Sequence, residues 1–409
     1  MDAQTLIMIL IAALGISACH VQAAFANTIG REEKVAVAMA NNAFAAEVYH
    51  QIKTKSGNLV FSPYSLFMAL SMTCAGARQN TETQITEVLH FPAEPSRVHQ
   101  ALNAWNRDLK APGQQGYELY NANALWTQAG QQVLAEFTDL LQTYYDATFT
   151  PLDFAHAPQQ AVETINAWGS KHTQGKIAEL LTSHNIPRNL ALILTNAIYF
   201  KGAWRSPFDK ERTNEAVFTL LDGNQVNVPM MQQTINVLYG DDQLMQAIEL
   251  PYGHPEQAIP VAMYVFLPKD PTTFSECETA LSADYIEQLV GTLRPQKATI
   301  GFPRFQIQGD FSLPETLRAL GMTDAFSLPP ADFSGITGSQ DLYLSEVLHK
   351  VILEVNEEGS EAAGASAVMM SRGLARPIEF LADHPFWIMI RDTMTGGILF
   401  WGRIMDPRA

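Results

Sequence analysis

The most informative stretch of the chain reads Glu357-Glu358-Gly359-Ser360-Glu361-Ala362-Ala363-Gly364-Ala365-Ser366-Ala367-Val368. It follows a predicted strand that ends at Val355, and Gly359 can supply the bend by which a chain leaves a sheet. Between Gly359 and Val368 every residue except Glu361 is small, and none is proline. This composition is compatible with a flexible linker and also with a segment that can enter a sheet.

The alternation of side chains favours the second interpretation. In a strand, every second side chain lies on the same face of the sheet. The residues that would share one face are Ser360, Ala362, Gly364, Ser366 and Val368. That face has no charge and little bulk, whereas Glu361 lies on the opposite face. A flexible linker does not require the absence of proline, nor the absence of charge from one of the two faces that a strand would have. We therefore predict that this segment is an additional strand that can join a folded sheet.

Outward from this stretch, apolar spacing predicts a mixture of helices and strands. Ser62 and Pro63 have the residue types of a helix cap and a first turn, and Leu192 to Phe200 reads as a strand buried on both faces. Further strands are predicted at 59–61, 247–250, 262–267, 298–302, 347–355 and 387–391, and helices at 31–49, 131–144, 158–173 and 313–320. Because no linker or repeat interrupts the chain, we expect one mixed α+β domain.

Composition and motifs exclude several classes of function. The chain has 409 residues, with 42 acidic and 26 basic side chains and a net charge of -16. An acidic protein is repelled by phosphate backbones, so we expect no nucleic-acid partner, and no basic cluster suggests a heparin-like site. The sequence has no metal, cofactor or catalytic motif. His349 lies inside an apolar strand, where it could be a general base but is more typical of a hydrogen-bonded core residue.

The first 26 residues read as a leader. An apolar run from Leu6 to Ile16 is followed by small residues up to Ala26, which suits a secretory signal peptide. The sequence before Cys19 also resembles a lipoprotein box, which would place a lipid on Cys19, and a buried N-terminal helix is the third reading. We therefore expect an extracellular protein, or a periplasmic or lipid-anchored one if the source is bacterial. Cys74 and Cys277 could form a single disulfide.

Several other segments, taken in order, resemble the serpin family from about Glu32 to Pro407. These segments are Asn58 to Ser65, Gly76 to Thr81, Asn166 to Trp168, Thr173 to Ile177, Leu194 to Trp204, Asp383 to Phe386 and Gly402 to Pro407. The stretch after Val355 is similar to the family's hinge, where the reactive-centre loop begins. Any one of these matches could arise by chance, but their common order is hard to explain in that way.

The resemblance implies a single domain over residues 31–409, with about nine helices around three β-sheets and a reactive-centre loop at about 357–380. It implies an inhibitor of serine proteases that acts as a suicide substrate and is not an enzyme. The protease cleaves the loop and forms an acyl-enzyme, and the loop then inserts into the large central sheet. The expected partner is a serine protease held in a covalent complex, and the native inhibitor is expected to be a monomer without a cofactor.

The resemblance also assigns regions to this sequence. The hinge comprises Glu357, Gly359, Ser360, Glu361, Ala362, Ala363, Gly364, Ala365 and Ser366. The shutter, where the central sheet must open, comprises Ser62, Ser65, Asn196 and His349. The breach, at the top of that sheet, comprises Trp204, Arg304 and Glu357, with a buried ion pair expected between Arg304 and Glu357.

The scissile bond has three possible registers. Family spacing from Glu357 places Gly373 on the acyl side, so that the bond joins Gly373 and Leu374, whereas counting back from the C-terminal motif favours Leu374. A shorter loop, in which Met370-Ser371-Arg372 resembles antiplasmin, makes Arg372–Gly373 the bond. We favour Arg372, which suits a trypsin-like protease. The alternatives are a non-inhibitory chaperone or carrier and a cross-class inhibitor of papain-like cysteine proteases.

Overall fold

The secondary structure is a mixture of helices and two sheets. The computed structural model describes residues 29–110, 116–182, 191–254, 261–359 and 376–408. Within these ranges there are ten α-helices: α1 (Arg31–Ile52), α2 (Pro63–Cys74), α3 (Gln79–Val88), α4 (Pro95–Leu109), α5 (Ala135–Tyr145), α6 (Pro158–His172), α7 (Phe274–Ala280), α8 (Ala283–Gly291), α9 (Pro314–Ala319) and α10 (Ser334–Thr337). The α+β expectation is confirmed.

Fourteen strands occur in the same ranges. They are β1 (Leu59–Phe61), β2 (Tyr117–Gln128), β3 (Thr148–Leu152), β4 (Leu192–Gly202), β5 (Asn214–Thr219), β6 (Gln225–Asp241), β7 (Met245–Pro251), β8 (Val261–Pro268), β9 (Arg294–Pro303), β10 (Phe305–Ser312), β11 (Leu344–Val355), β12 (Ile378–Leu381), β13 (Phe386–Asp392) and β14 (Ile398–Ile404). Every strand predicted from the sequence is present, within a few residues at each end.

The main sheet has five strands in the order β10-β11-β4-β2-β3. Its central pair, β11 and β4, is parallel, and the register pairs His349 with Asn196 and Ile352 with Tyr199. β11 is antiparallel to β10, and β4 is antiparallel to β2. Nearly all of β4 is buried, which agrees with its nearly continuous apolar sequence from Leu192 to Phe200.

The remaining nine strands form one continuous sheet along the path β1-β14-β13-β8-β7-β6-β9-β12, with β5 paired to β6. The family resemblance implied two separate smaller sheets here. They are joined because β6 is 17 residues long. Its first part pairs with β5, its middle with β9 and its end with β7.

Both faces of the main sheet are covered. Every residue of α2 is buried, and this helix contacts β2, β4 and β14, so it lies between the two sheets. A helix that is apolar on all sides is typical of such a position. On the opposite face, Ala161, Val162 and Ile165 of α6 belong to the same buried cluster as residues of β2, β4 and β11. An additional strand in this sheet would therefore enter a space covered on both sides.

The two cysteines of the described ranges are free. Cys74 and Cys277 are both buried thiols, so the disulfide that the sequence allowed does not form. Burial raises the pKa of Cys74 to about 12, which makes it a core residue rather than a nucleophile. Cys19 and the leader lie outside the described residues. Among the helices that are described, none combines the length and apolarity that a membrane crossing requires.

Candidate functional site

The contact between β11 and β4 is reinforced by a side-chain bond across the two strands. His349 and Asn196 are direct partners in the register, and both are buried. His349 Nε2 accepts a hydrogen bond of 2.9 Å from the backbone N–H of Ser62. Its Nδ1 therefore carries the proton, and it donates to Oδ1 of Asn196. The strands that would have to separate are thus joined by side chains as well as by their backbones.

Burial determines the charge of His349. The ring is completely enclosed, and desolvation lowers its pKa to about 3. The histidine is therefore neutral at physiological pH, with one nitrogen donating and the other accepting. The interpretation of His349 as a hydrogen-bonded core residue fits this geometry better than its interpretation as a general base.

The network continues from Asn196 to helix α2. The Asn196 amide donates to the Ser65 carbonyl over 3.2 Å and also to Ser65 Oγ. Ser62 caps α2 by accepting from the Ser65 N–H over 3.2 Å, and its hydroxyl donates to the Leu399 carbonyl of β14 over 2.6 Å. The structure thus brings together all four residues of the shutter. It connects the two strands of the main sheet to a helix and to the second sheet.

Two asparagines of β2 complete this network, and neither was predicted from the sequence. Asn123 Oδ1 accepts from the Asn196 amide over 2.5 Å, and Asn121 Oδ1 accepts from the Ser65 hydroxyl over 2.5 Å. The two are spaced by one residue, so they share a face of β2. Two amides at that spacing in a mostly apolar strand are a signal that could have identified them.

Beyond Ile352 the two central strands no longer pair, and a tight turn fills the gap between their ends. Asn356 and Gly359 exchange two backbone hydrogen bonds of 3.2 Å each, with Glu357 and Glu358 at the tip. Gly359 also forms an antiparallel bridge with Ala203, directly after β4. One residue of the hinge is therefore already paired on both sides, with the chain that ends β11 and with the chain that follows β4.

No other residue type fits well at Gly359. Its φ is +99°, in the region that favours glycine. A Cβ placed there would lie 2.3 Å from the Gly202 carbonyl oxygen and 2.5 Å from the Trp204 nitrogen. The conformation and the close approach of the backbone therefore both require glycine.

The breach residues surround this turn. Trp204 is buried, stacks on Tyr252 with ring centres 4.5 Å apart, and donates from Nε1 to the Asn356 carbonyl over 2.8 Å. Its backbone N–H donates to the Glu358 carbonyl over 3.0 Å. These contacts hold the turn against the segment that follows β4.

The ion pair at the breach is less enclosed than expected. Arg304 Nη1 lies 3.7 Å from Glu357 Oε1, but the Arg304 side chain is 52% exposed whereas that of Glu357 is 6% exposed. The expectation of a buried pair is therefore wrong for Arg304, because this side chain lines an open depression at the molecular surface. Thr213 Oγ1 donates to the same carboxylate oxygen over 2.8 Å, and this partner was not predicted from the sequence.

The remaining predicted positions lie outside the described residues. These are hinge residues Ser360, Glu361, Ala362, Ala363, Gly364, Ala365 and Ser366, and the three candidates at the scissile bond, Arg372, Gly373 and Leu374. The description resumes at Arg376, just before β12, which pairs with β9 of the second sheet. Within the described ranges, no group of three or more His, Cys, Asp or Glu side chains is suited to a metal ion.

Fold and site together define a class of protein. Two parallel strands lie side by side in the main sheet, and the chain leaving one of them turns back between the two strand ends. The chain belongs to the serpin family, since a family model described as "Serpin (serine protease inhibitor)" matches residues 39–407. The resemblance drawn from the sequence motifs is confirmed.

Individual relatives cover almost the whole chain. The leukocyte elastase inhibitor of Xenopus tropicalis is 36% identical over 368 residues, which make up 89% of this chain and 97% of the relative. Serpin B6 of Pongo abelii is 37% identical over 379 residues, 91% of this chain and 99% of the relative. A crystal structure of native protease nexin-1 with heparin matches with a TM-score of 0.83 at 28% identity, covering 91% of this chain and 100% of that chain.

Proposed function

We propose that this serpin inhibits serine proteases as a suicide substrate. The observation that carries the proposal is the position of Gly359, which pairs with Asn356 on one side and with Ala203 on the other. Because β11 and β4 are parallel, a strand that is antiparallel to one is antiparallel to both. A loop released by cleavage could therefore continue from Gly359 between these two strands.

The register of the inserted strand follows from the two bridges that Gly359 already forms. Counting from the Gly359–Asn356 bridge places Ser366 opposite His349, and counting from the Gly359–Ala203 bridge places Ser366 opposite Asn196. The two counts agree because His349 and Asn196 are partners in the native sheet. The inserted strand would then need no shift of either neighbour along its length, only a separation of the two.

The same register supports the division of the hinge into two faces. Ala362 would lie opposite Leu353 and Phe200, which are both fully buried. Glu361 would lie opposite Glu354 and Lys201, which are only partly buried. The small residues would thus enter the core, and the charged one would remain near the surface.

For the bait residue we propose Arg372, with cleavage between Arg372 and Gly373 by a trypsin-like protease. Arginine suits an acidic specificity pocket. Arg376 is the less suitable site because Pro377 follows it. The native protein is proposed to act as a monomer that is consumed in a covalent complex.

Incubation with trypsin, followed by a denaturing gel, tests this function. We expect a band that withstands detergent and contains both proteins, and mass spectrometry of the released fragment should show a new N-terminus at Gly373. Arg372→Ala should abolish the complex, whereas the matched change Arg376→Ala should leave it. Cleavage without any complex would indicate a non-inhibitory serpin, and a complex with papain alone would indicate the cross-class alternative.

A pair of hinge variants tests insertion separately from recognition. Ala362→Arg would place a charge opposite buried Leu353 and Phe200, so we expect cleavage to proceed while the stable complex disappears. Glu361→Arg introduces the same side chain on the opposite face and should retain most of the complex. Equal loss in both variants would contradict the proposed register.

We also propose that the chain is exported by removal of residues 1–26. The apolar run and the small residues before Asn27 support this proposal. N-terminal sequencing of the protein secreted by its native host should begin at Asn27. A lipid-modified N-terminus at Cys19 would favour the lipoprotein reading, and retention of Met1 in the cell would contradict export.

A further inference from the structure

We propose that Glu249 is a proton-binding site in the second sheet, and that its protonation tightens the attachment of helix α8 to this sheet. Glu249 lies in β7, paired with Leu238 of β6 on one side and with Tyr264 of β8 on the other. Only 8% of the residue is exposed, and a glutamate is rarely buried to this extent without a charged partner. The residues of this site belong neither to the shutter nor to the breach, so the proposal goes beyond the proposed function.

The charged partner is Arg391 of β13. Its side chain is almost fully buried, and its guanidinium carbon lies 5.4 Å from the centre of the Tyr264 ring. Nε and Nη2 donate to the Gly396 carbonyl over 3.0 and 2.7 Å, and Nη2 also donates to the carboxylate of Glu287 in α8. Nη1 is buried and has no hydrogen-bond partner among the described residues. The guanidinium therefore holds α8 through one nitrogen and keeps another buried donor unused.

The charges of this cluster do not balance when every acid and base in it is ionised. Glu249 and Glu287 supply two negative charges, and Arg391 supplies one positive charge. Tyr264 adds none, because burial raises the pKa of its hydroxyl. A single bound proton makes the cluster neutral. The Glu287 side chain is 39% exposed and can be solvated when charged, whereas Glu249 is enclosed, so the proton belongs on Glu249.

The surroundings of Glu249 determine the direction of its titration. Burial raises the pKa of Glu249 above its ordinary value, and this effect exceeds those of the Tyr264 hydrogen bond and the Arg391 charge, which lower it. Glu287 of α8 acts on Glu249 through Arg391, and β6 faces it with the uncharged Leu238.

The sign of the pH dependence follows from this raised pKa. Between the ordinary value of about 4.3 and the raised pKa of Glu249, the folded state holds a proton that the unfolded state has lost. The contribution of Glu249 to the free energy of unfolding therefore falls as the pH rises through this window. A buried neutral histidine contributes with the opposite sign.

Protonation would act on α8 through Arg391. An ionised Glu249 competes with Glu287 for the same guanidinium, because both carboxylates attract it. Once Glu249 is neutral, this competition ends, and Arg391 is left to Glu287 and the Gly396 carbonyl. The attachment of α8 to the second sheet should therefore be tighter below the raised pKa of Glu249 than above it.

Carbon-13 NMR of the glutamate carboxyl groups in the full chain measures the proton site directly. The Glu249 signal, identified by its absence in Glu249→Gln, should titrate with a midpoint above the ordinary value of about 4.3. Tyr264→Phe removes a hydrogen bond that favours the ionised form, so it should move the same midpoint further upward. This displacement identifies the signal independently of Glu249→Gln. A midpoint at or below the ordinary value would overturn the proton site.

Hydrogen exchange of the α8 amides tests the coupling to the helix. Protection factors, which correct for the intrinsic effect of pH on exchange, should fall at least about threefold from one pH unit below the measured midpoint to one unit above it. Glu249→Gln cannot ionise, so its protection should stay at the low-pH value of the wild type. Glu287→Gln removes the carboxylate that α8 presents to Arg391, so its protection should be low at both pH values.

Wild-type protection that is independent of pH, or that falls equally in Glu249→Gln, would overturn the coupling. Neither measurement uses a protease. Failure of the inhibitor function would therefore leave both results interpretable, and failure of the proton site would leave the inhibitor function untouched.

Discussion

The imidazole of His349 has a hydrogen-bond partner on each nitrogen. Both bonds form only while the ring is neutral and carries a single N–H proton. The second proton of an imidazolium would sit on Nε2, facing the Ser62 N–H, so two donors would oppose each other. His99 is a second buried histidine, whose pKa burial lowers to about 4. Both residues therefore favour the folded state only while they are uncharged.

Stability should consequently fall on acidification. In the unfolded chain these histidines titrate near pH 6.5. With folded pKa values of about 3 and about 4, the unfolded state binds more protons below pH 6.5, so the free energy of unfolding decreases as the pH falls. The expected slope approaches about 1.4 kcal/mol per pH unit for each histidine near pH 5, and the contribution of His99 falls to about half of that at pH 4. Urea unfolding across this range measures the slope.

The variant His349→Asn identifies the source of this pH dependence. Asparagine does not titrate, so the slope should decrease by about 1.4 kcal/mol per pH unit relative to the wild type. An unchanged slope would exclude His349 as a contributor.

Substitution of Gly359 is expected to destabilise the protein in two ways, through backbone strain at positive φ and through a close contact with the neighbouring backbone, and the two contributions can be measured separately. Gly359→Ala should lower the free energy of unfolding by more than about 2 kcal/mol, because it adds both positive-φ strain and a contact with the Gly202 carbonyl. Gly130 has a similar φ of +94° and open space where a Cβ would lie, so Gly130→Ala should show the strain alone, about 1 kcal/mol. Thermal or urea unfolding measures both. Equal losses would mean that the close backbone approach is unimportant.

At the scale of the elements, the sequence predicted those whose residues have a strong local pattern. β4 is a nearly continuous apolar run, β11 is mostly apolar from Val347 to Val355, and α2 begins with a serine cap followed by proline, so all three could be predicted. β6 could not, because its burial varies along its length and it pairs with three different strands. The shutter bond between Ser62 and His349 joins residues 287 positions apart, and only the family resemblance could link them.

We expect the turn from Asn356 to Gly359, which follows β11, to be sensitive to the charge at Glu357. Glu357→Lys places a cation in a buried position beside Arg304 and removes the acceptor of Thr213, so we expect a loss of about 3 kcal/mol or more. The main sheet should loosen at its top, and polymers should form on mild heating. Native gels after incubation at raised temperature measure this effect.

Arg304→Ala is the matched control for the other partner. The Arg304 side chain is half exposed, so its removal should cost less than about 1 kcal/mol and cause little polymer. Polymer formation equal to that of Glu357→Lys would show that the ion pair, rather than the buried carboxylate, holds the turn. Monomer alone in both variants would contradict a role for this turn in closing the sheet.

At the scale of the whole molecule, the main sheet of the described ranges has five strands, and the proposed insertion would add a sixth between β11 and β4. Cleavage of the loop should therefore increase stability. About nine residues after Gly359 could pair with both neighbours, and each added hydrogen bond contributes about 0.5–1.5 kcal/mol. We expect Tm to rise by more than about 10 °C after limited proteolysis.

Calorimetry of intact and cleaved protein tests this expectation. The cleaved Ala362→Arg variant provides the control, because its arginine would oppose buried residues and the gain in Tm should be lost. A wild-type protein whose Tm does not change on cleavage would contradict insertion, even if the protease is inhibited by another route.

The double pairing of Gly359 also bears on the kinetics of inhibition. Forming the first contact of a new strand is usually the slow step, since it orders several residues for little return. In the proposed mechanism the first paired residue, Gly359, is in place before the protease arrives, and pairing would extend from it one residue at a time. The protease is either trapped or released, depending on which process is faster. The rate of trapping would then be set by the separation of β11 and β4 rather than by the time that the cleaved loop needs to form its first contact with the sheet.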